Sequence, residues 1–471
     1  MQGEQPNKKP PIWIDTDFEG EKKYKEILEK SFKENEIIVY FDDNSILQNL
    51  DEKIKTVIES FENDSDSKVF NIGKITPYKC DNCDIPVVLF KARNIHTVVN
   101  TEGVRGGAVA KPPVVGEEYS LNYFNQNPIG KLKFEPQDCT EQDDVDEEKE
   151  ELIVAVLDTG FDPKLVDPQY LWKGKEENGA SQCYKKINSG WNFVDQDSGE
   201  QYGSPDFSDN HRGRHGSIVS QYIINEFRKS PKNRVKIMPL KTHDRKGLGD
   251  LFGIICAIHF AIAKGAHIIN ASWGFYYYYK DPIPYLSNLI KHKLHEEGIL
   301  FVTAAGNQFK EEEIIARKIY ELQYPGEELT DDQLRDIAIH NFYPGHLSSD
   351  INSIITVTTT DRESVSPTQN YSNTYADLGV LADNDMKFQV PFAGSRPNEL
   401  IGGSSFATAI ATGVIGSYSP TSMYRPNLTK SEFFNTLSSM PSTGALPTIL
   451  FKEPDLAQKL IKEGAVTEKN S

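Results

Sequence analysis

Cysteine is scarce and odd in number: Cys80, Cys83, Cys139, Cys183 and Cys256 are the five among 471 residues. A disulfide framework needs a denser, paired set, so free thiols are expected. Cys80 and Cys83 make a single CxxC. Without a second pair it falls short of the four ligands of a structural zinc site, and two free thiols in a turn are the reading. Long apolar runs are also missing. No stretch reaches the roughly 18–20 residues that cross a bilayer, and none follows Met1 as a secretory leader would. A cytoplasmic enzyme with no membrane partner is the expectation. Positive charge is in deficit, with 51 Lys and Arg against 69 Asp and Glu, a net charge of -18. Such a surface repels nucleic acid and anionic lipid, which removes both as main partners, and it favours solubility. Missing too is any GxGxxG after a strand or any P-loop, which argues against a nucleotide-binding α/β protein.

What is present divides into unequal parts. A chain of 471 residues exceeds one small core and suggests a catalytic domain with an accessory region. Residues 37–41 are apolar and strand-like, and Ile46, Leu47, Leu50, Ile54, Val57, Ile58 and Phe61 carry the 3.6-residue period of an amphipathic helix. Strand-like runs at 69–75 and 86–90 complete a small α+β pattern, followed by a Gly-, Pro- and Asn-rich stretch over 103–128 read as extended or looped. Residues 138–151 are dominated by acids, whose mutual repulsion predicts a solvated linker. Beyond it, strand-like runs at 153–157, 235–240, 267–271 and 299–305 alternate with helical patterns at 218–227, 251–263 and 286–297. That alternation predicts a parallel sheet covered by helices on both faces, with the site at the carboxyl ends of its strands. The expected organisation is an α+β region over 1–137, a linker over 138–151, an α/β domain over 152–442 and an extension over 443–471.

Four segments carry candidate chemistry. Asp158 directly follows the apolar run and precedes Thr159 and Gly160, a carboxylate where a buried strand ends. His215 follows a glycine turn and opens a helical pattern, with His211 as its competitor. A helix N-terminus disfavours the imidazolium and suits a neutral general base. Ser405 sits at the start of a segment rich in small residues, Ala407, Ala409, Ala411, Gly413 and Gly416, with Ser404 available as an N-cap. A serine there presents its hydroxyl and its backbone N–H to one point, as a nucleophile beside an oxyanion hole must. Asn307 ends a strand-like run with an amide donor.

Together Asp158-Thr159-Gly160, His215-Gly216-Ser217, Ala304-Ala305-Gly306-Asn307 and Gly403-Ser404-Ser405-Phe406-Ala407 resemble the signature segments of the subtilisin-like serine peptidases, in the subtilisin order Asp, His, Ser. The resemblance covers roughly residues 150–440 and departs at Ile218, Val219 and Ser220 and at Ala409-Ile410. It implies a subtilisin-like three-layer fold and an endopeptidase with Asp158, His215 and Ser405 as triad and Asn307 as oxyanion donor. It places substrate contacts at Ser272, Trp273, Gly274 and Gly306. Thr429 with Glu432 fits a capping box on the family's late helix.

The implied partner is a polypeptide substrate. No metal or cofactor is required, and no loop compels a structural calcium. The aromatic run Phe275, Tyr276, Tyr277, Tyr278 and Tyr279 lines substrate pockets or packs as a surface turn. The charged insertion after Asn307, helical at 311–322 and 331–339, rims the cleft or decorates it. The first region acts as an inhibitor that keeps a zymogen latent, or as a recruitment module. A peptide ligase or macrocyclase on the same fold, or a catalytically inactive interaction module, are the competing classes.

Overall fold

The structure, a computed structural model, describes residues 11–12, 32–41, 49–80, 85–100, 118–127, 149–174, 189–194, 202–229, 232–278, 283–349, 352–360, 365, 368–382, 387–392, 399–439 and 449–451. Cys83, Tyr279 and most of the acidic segment lie outside these residues.

The first region folds as β1 (Phe32–Tyr40), a helix Leu50–Asn63, β2 (Thr76–Lys79), β3 (Val87–Lys91), a helix Ile95–Asn100 and β4 (Glu118–Gln126). The strand order β2-β3-β1-β4 is that of a split βαβ, ferredoxin-like unit. Leu50, Ile54, Val57 and Phe61 point one face of the first helix into the core, as the 3.6 period requires. The expected strand at 69–75 is replaced. Ser65–Val69 is helical and the strand starts only at Thr76, since Asn71 and Gly73 take positive φ and break an extended chain.

The second region continues with β5 (Glu150–Asp158), β6 (Trp191–Asn192), β7 (Asn233–Lys241), β8 (Leu248–Asp250), β9 (Ile268–Ala271), β10 (Phe275–Tyr276), β11 (Leu300–Ala304), β12 (Phe342–Tyr343), β13 (Ile354–Thr360), β14 (Leu378–Leu381), β15 (Phe388–Gln389), β16 (Leu400–Ile401) and β17 (Ile449–Phe451). Its main sheet runs β17-β14-β13-β11-β9-β5-β7-β6. Seven of these strands are parallel, and β17, from the expected extension, adds antiparallel to β14 at the edge. Alternation along β5 sets the layers: Leu152, Val154 and Val156 face one core cluster, Ala155 and Leu157 the other. The strand begins at Glu150, two residues before the expected start of the α/β domain at 152.

Helices His215–Lys229 and Ser404–Tyr418 cover one face together. A side chain on Gly413 would come within 2.8 Å of Glu226 Cβ, so glycine lets the two backbones approach. Leu251–Ala263 lies in the cluster that also holds the first region. The helix over the expected 286–297 starts as Pro284–Asn288, passes through a π turn at Leu289–Lys293 and ends as Leu294–Glu296.

The two regions share that core and are joined at several points. Cys80 forms a disulfide with Cys256. This corrects the expectation of a free Cys80: the two cysteines are 176 residues apart, and only docking of the first region on the helix Leu251–Ala263 brings their Cα atoms to 5.5 Å. Lys33 pairs with buried Asp250 at 2.6 Å, Phe252 N–H donates to Asn122 Oδ1 at 3.1 Å, and Tyr40 stacks on Tyr285. β4 pairs antiparallel with β8, so the stretch expected to be extended or looped supplies, over its described residues, a strand that ties one sheet to the other region.

Candidate active site

β5 lies between β7 and β9, where the strand order reverses, and Asp158 is its last residue. Side chains at such a switch point face the crevice at the carboxyl edge. Asp158 is fully buried, and its Oδ1 accepts from Thr159 N–H at 2.7 Å. His215 is the first residue of its helix, and its Nδ1 lies 2.8 Å from Asp158 Oδ1 and 3.0 Å from Oδ2. Close backbone packing holds the two segments together. A Cβ on Gly216 would stand 2.4 Å from Gly160 O, so the histidine helix sits directly on the loop after Asp158.

A buried carboxylate that the motif reading missed, Asp209, braces this junction. Oδ1 accepts from Thr159 Oγ1 at 3.0 Å, and Oδ2 accepts from Ser217 N–H at 2.9 Å and Ser217 Oγ at 2.7 Å. Thr159 Oγ1 in turn accepts from Gly216 N–H. Burial raises the Asp209 pKa, and the Ser217 donors work against that rise. The competitor His211 accepts the Gly213 N–H on Nδ1 and is held neutral by burial, its pKa lowered to about 4.

The helix Ser404–Tyr418 brings Ser405 to the same crevice: the His215 ring centroid is 5.2 Å from that of Phe406, the next residue. Ser405 Oγ donates to Ser272 O at 3.0 Å, and Ser272 Oγ donates to Ser405 O at 2.9 Å. His215 Nε2 is buried and has no hydrogen-bond partner among the described residues. The serine hydroxyl is therefore turned to the Ser272 carbonyl rather than to the histidine. Ser404 is not the N-cap. Gly403 takes that position at φ 142, where a side chain is strained, and Ser404 donates through N–H and Oγ to Asn307 Oδ1 at 2.9 and 3.1 Å. These two bonds occupy the Oδ1 of the Asn307 amide.

Ser272, Gly274, Gly306, Asn307 and Ser405 line one cavity of about 320 Å³, together with Trp273 and the rings of Tyr276, Tyr277 and Tyr278. The insertion contributes Phe309 and Glu312 to its wall, so it meets the site rather than only decorating the surface. Its helices run Lys310–Gln323 and Asp331–Arg335, the second ending earlier than expected.

The strongest departure from sequence reading is in the crevice itself. Gln126 N–H donates to Gly274 O at 3.1 Å, Gly274 N–H to Gln126 O at 3.4 Å, and Asn127 N–H to Gly247 O at 2.9 Å. The Asn127 Nδ2 donates to Asp158 Oδ1 at 2.7 Å and lies 2.9 Å from His215 Nδ1. The first region's last described strand thus pairs with β8 and, through Gln126, with Gly274, and its next residue touches the Asp158–His215 pair. The sequence signal was the alternation of Tyr119, Leu121 and Tyr123 with Ser120 and Asn122, obscured by the Asn content of the stretch.

A carboxylate at a sheet switch point, with a histidine and a serine at the starts of two crossing helices, is the layout of a serine peptidase. The Subtilase family profile matches residues 149–438, well over half of the chain, and the chain belongs to that family. A curated relative, the cell wall-associated protease of Bacillus subtilis strain 168, is 32% identical over 124 residues, which is 26% of this chain and 12% of that protein. The chain thus spans about an eighth of that relative's length. Among solved structures, the epidermin leader peptide processing serine protease of Staphylococcus aureus is 14% identical, with 87% of this chain and 93% of that one covered at a TM-score of 0.46. Fervidolysin from Fervidobacterium pennivorans, a keratinolytic enzyme related to subtilisin, is 16% identical, covers 82% of this chain and 55% of that one, and gives a TM-score of 0.47. Among the described residues no helix is long and apolar enough to cross a membrane.

Proposed function

We propose that this chain is a serine endopeptidase acting through Asp158, His215 and Ser405, and that residues 32–127 hold it latent. The observation that carries the catalytic reading is the 2.8 Å contact of Asp158 with His215, whose Nε2 stands buried and unpaired beside the helix that begins at Ser404. In the active arrangement Ser405 Oγ leaves Ser272 O and donates to His215 Nε2. Ser405 attacks the scissile carbonyl, His215 takes its proton and returns it to the leaving amine, and Asp158 holds the tautomer and offsets the imidazolium charge. Asn307 Nδ2 and the Ser405 N–H receive the oxyanion. The chemistry calls for a polypeptide substrate and for no metal.

Latency is supported by the strand that fills the crevice. β4 and Asn127 use the Gly247 and Gly274 backbone groups that a substrate strand would use, and Asn127 reaches the catalytic pair. On this reading residues 1–137 are the inhibitory region, 138–151 the connection to be cut, and 152–442 the peptidase.

The test is labelling of the full chain and a Ser405→Ala partner with a fluorophosphonate, before and after cleavage within residues 138–148, reduction of the Cys80–Cys256 bond and removal of the first region. Labelling that rises after cleavage and is lost in Ser405→Ala supports both parts. Equal labelling before and after removes the latency; no labelling of any form removes the peptidase.

A further inference from the structure

We infer that the cavity beside Ser405 takes a lysine or arginine side chain of the substrate, at the residue whose carbonyl Ser405 attacks, with Glu312 as the counter-charge. This rests on the serine-peptidase reading and names the substrate class for that site. Three observations carry it.

The first is position. The cavity is bounded by Ser405, Gly274 and Gly306, and on its outer side by Tyr123, Phe124, Asn125 and Gln126 of β4, whose Gln126 pairs with Gly274. A side chain that enters there belongs to the acyl residue. At about 320 Å³ with β4 in place, it has room for a long one.

The second is charge. Among the described residues Glu312 is the one carboxylate in the lining, and no lysine, arginine or histidine of them lines the cavity. Glu312 Oε2 accepts the Tyr278 hydroxyl at 2.8 Å, and no ion pair to it forms among the described residues. A carboxylate withdrawn from water without a cation is costly, and burial accordingly raises its pKa. A guest ammonium or guanidinium removes that cost; an aliphatic or aromatic guest increases it by dehydrating the carboxylate further.

The third is the remaining wall. Phe309, Phe342 and the tyrosine rings give the methylene stem of a basic side chain apolar contact and its head a π face. The net charge of -18 also draws cationic peptides toward the chain.

The experiment uses the full chain, activated until a fluorophosphonate titrates Ser405, so that competence is established separately. A mixture of unstructured peptides is then digested and the cut sites are read by mass spectrometry. Cuts after lysine and arginine are expected to outnumber those after leucine, phenylalanine and tyrosine. Glu312→Gln is expected to lower kcat/KM for an arginine peptide by about 10–100-fold, the worth of a charged hydrogen bond, while a matched leucine peptide changes little. If titrated enzyme prefers leucine or phenylalanine, or if Glu312→Gln keeps the basic preference, the inference is overturned and the peptidase stands. If Glu312→Gln does not fold, the wild-type cut sites decide alone. A chain that never titrates overturns both readings.

Discussion

Asn127 and His215 meet at one acceptor: Asn127 Nδ2 lies 2.7 Å from Asp158 Oδ1 and 2.9 Å from His215 Nδ1, which is itself 2.8 Å from the same oxygen. The imidazole Nδ1 can donate to Asp158 or accept from Asn127, but not both with one proton. If it accepts, the ring proton sits on Nε2, where no proton can be taken from Ser405. A wrong tautomer costs about 10⁴ in kcat in a chymotrypsin-type triad. Asn127→Ala in the full chain is therefore expected to raise the rate of fluorophosphonate labelling by about tenfold or more, the worth of one or two hydrogen bonds to charged or partly charged groups. An unchanged rate would mean that Asn127 merely fills space.

The disulfide makes a second prediction about latency. Cys80 lies before the acidic segment and Cys256 after it, so a cut between them leaves the two parts joined. With a protease site inserted within residues 138–148, the cut chain should run as one species without reductant and as two with it. Two species without reductant would show that the bond does not form in the folded protein. A persistent bond also places the chain in a setting that tolerates disulfides, which counts against the cytoplasmic expectation.

Lys430 is the anchor of the late helix. Its Nζ lies 2.6 Å from Asp377 Oδ1 and donates to Ser348 Oγ at 2.9 Å, with both charged side chains largely buried. Removing one partner strands the other charge in a dry site. Lys430→Met is expected to cost about 3–5 kcal/mol in urea unfolding. A loss below about 1 kcal/mol would mean that water reaches Asp377 freely.

Acid should weaken the fold before the carboxylates titrate. Burial lowers the pKa of His243 and His340 to about 3 and of His259 and His346 to about 4, from 6.5. Between those values the unfolded chain holds more protons than the folded one, so stability is full above pH 6.5 and falls as pH drops toward the folded values. Buried Glu226 and Asp377, with raised pKa values, bind protons more tightly when folded and oppose this at the acid end. The urea midpoint should be lower at about pH 5.5 than at about pH 7.5, and His259→Gln should flatten the slope. A midpoint that rises on acidification would contradict the burial of these rings.

The sequence by itself determined the elements whose patterns are local. The apolar run before Asp158 became β5, the small residues after Ser405 became a tightly packed helix, and Thr429 with Glu432 closed the capping box, each N–H bonding the other's side chain. Glycines and chemistry-bearing residues at strand and helix ends mark such sites because turn geometry and functional groups coincide there. The tertiary structure decided what depends on parts far apart in the chain. No local pattern tells that Cys80 will meet Cys256, that Asp209 will brace Thr159 and Ser217, or that Glu312 will enter the cavity beside Ser405. Nor does one tell that a strand ending at Gln126 will lie along Gly274 and carry Asn127 to Asp158. Those contacts follow from docking one sheet against another, where buried area and paired backbone edges select the arrangement, and neither is written in the period of a single segment.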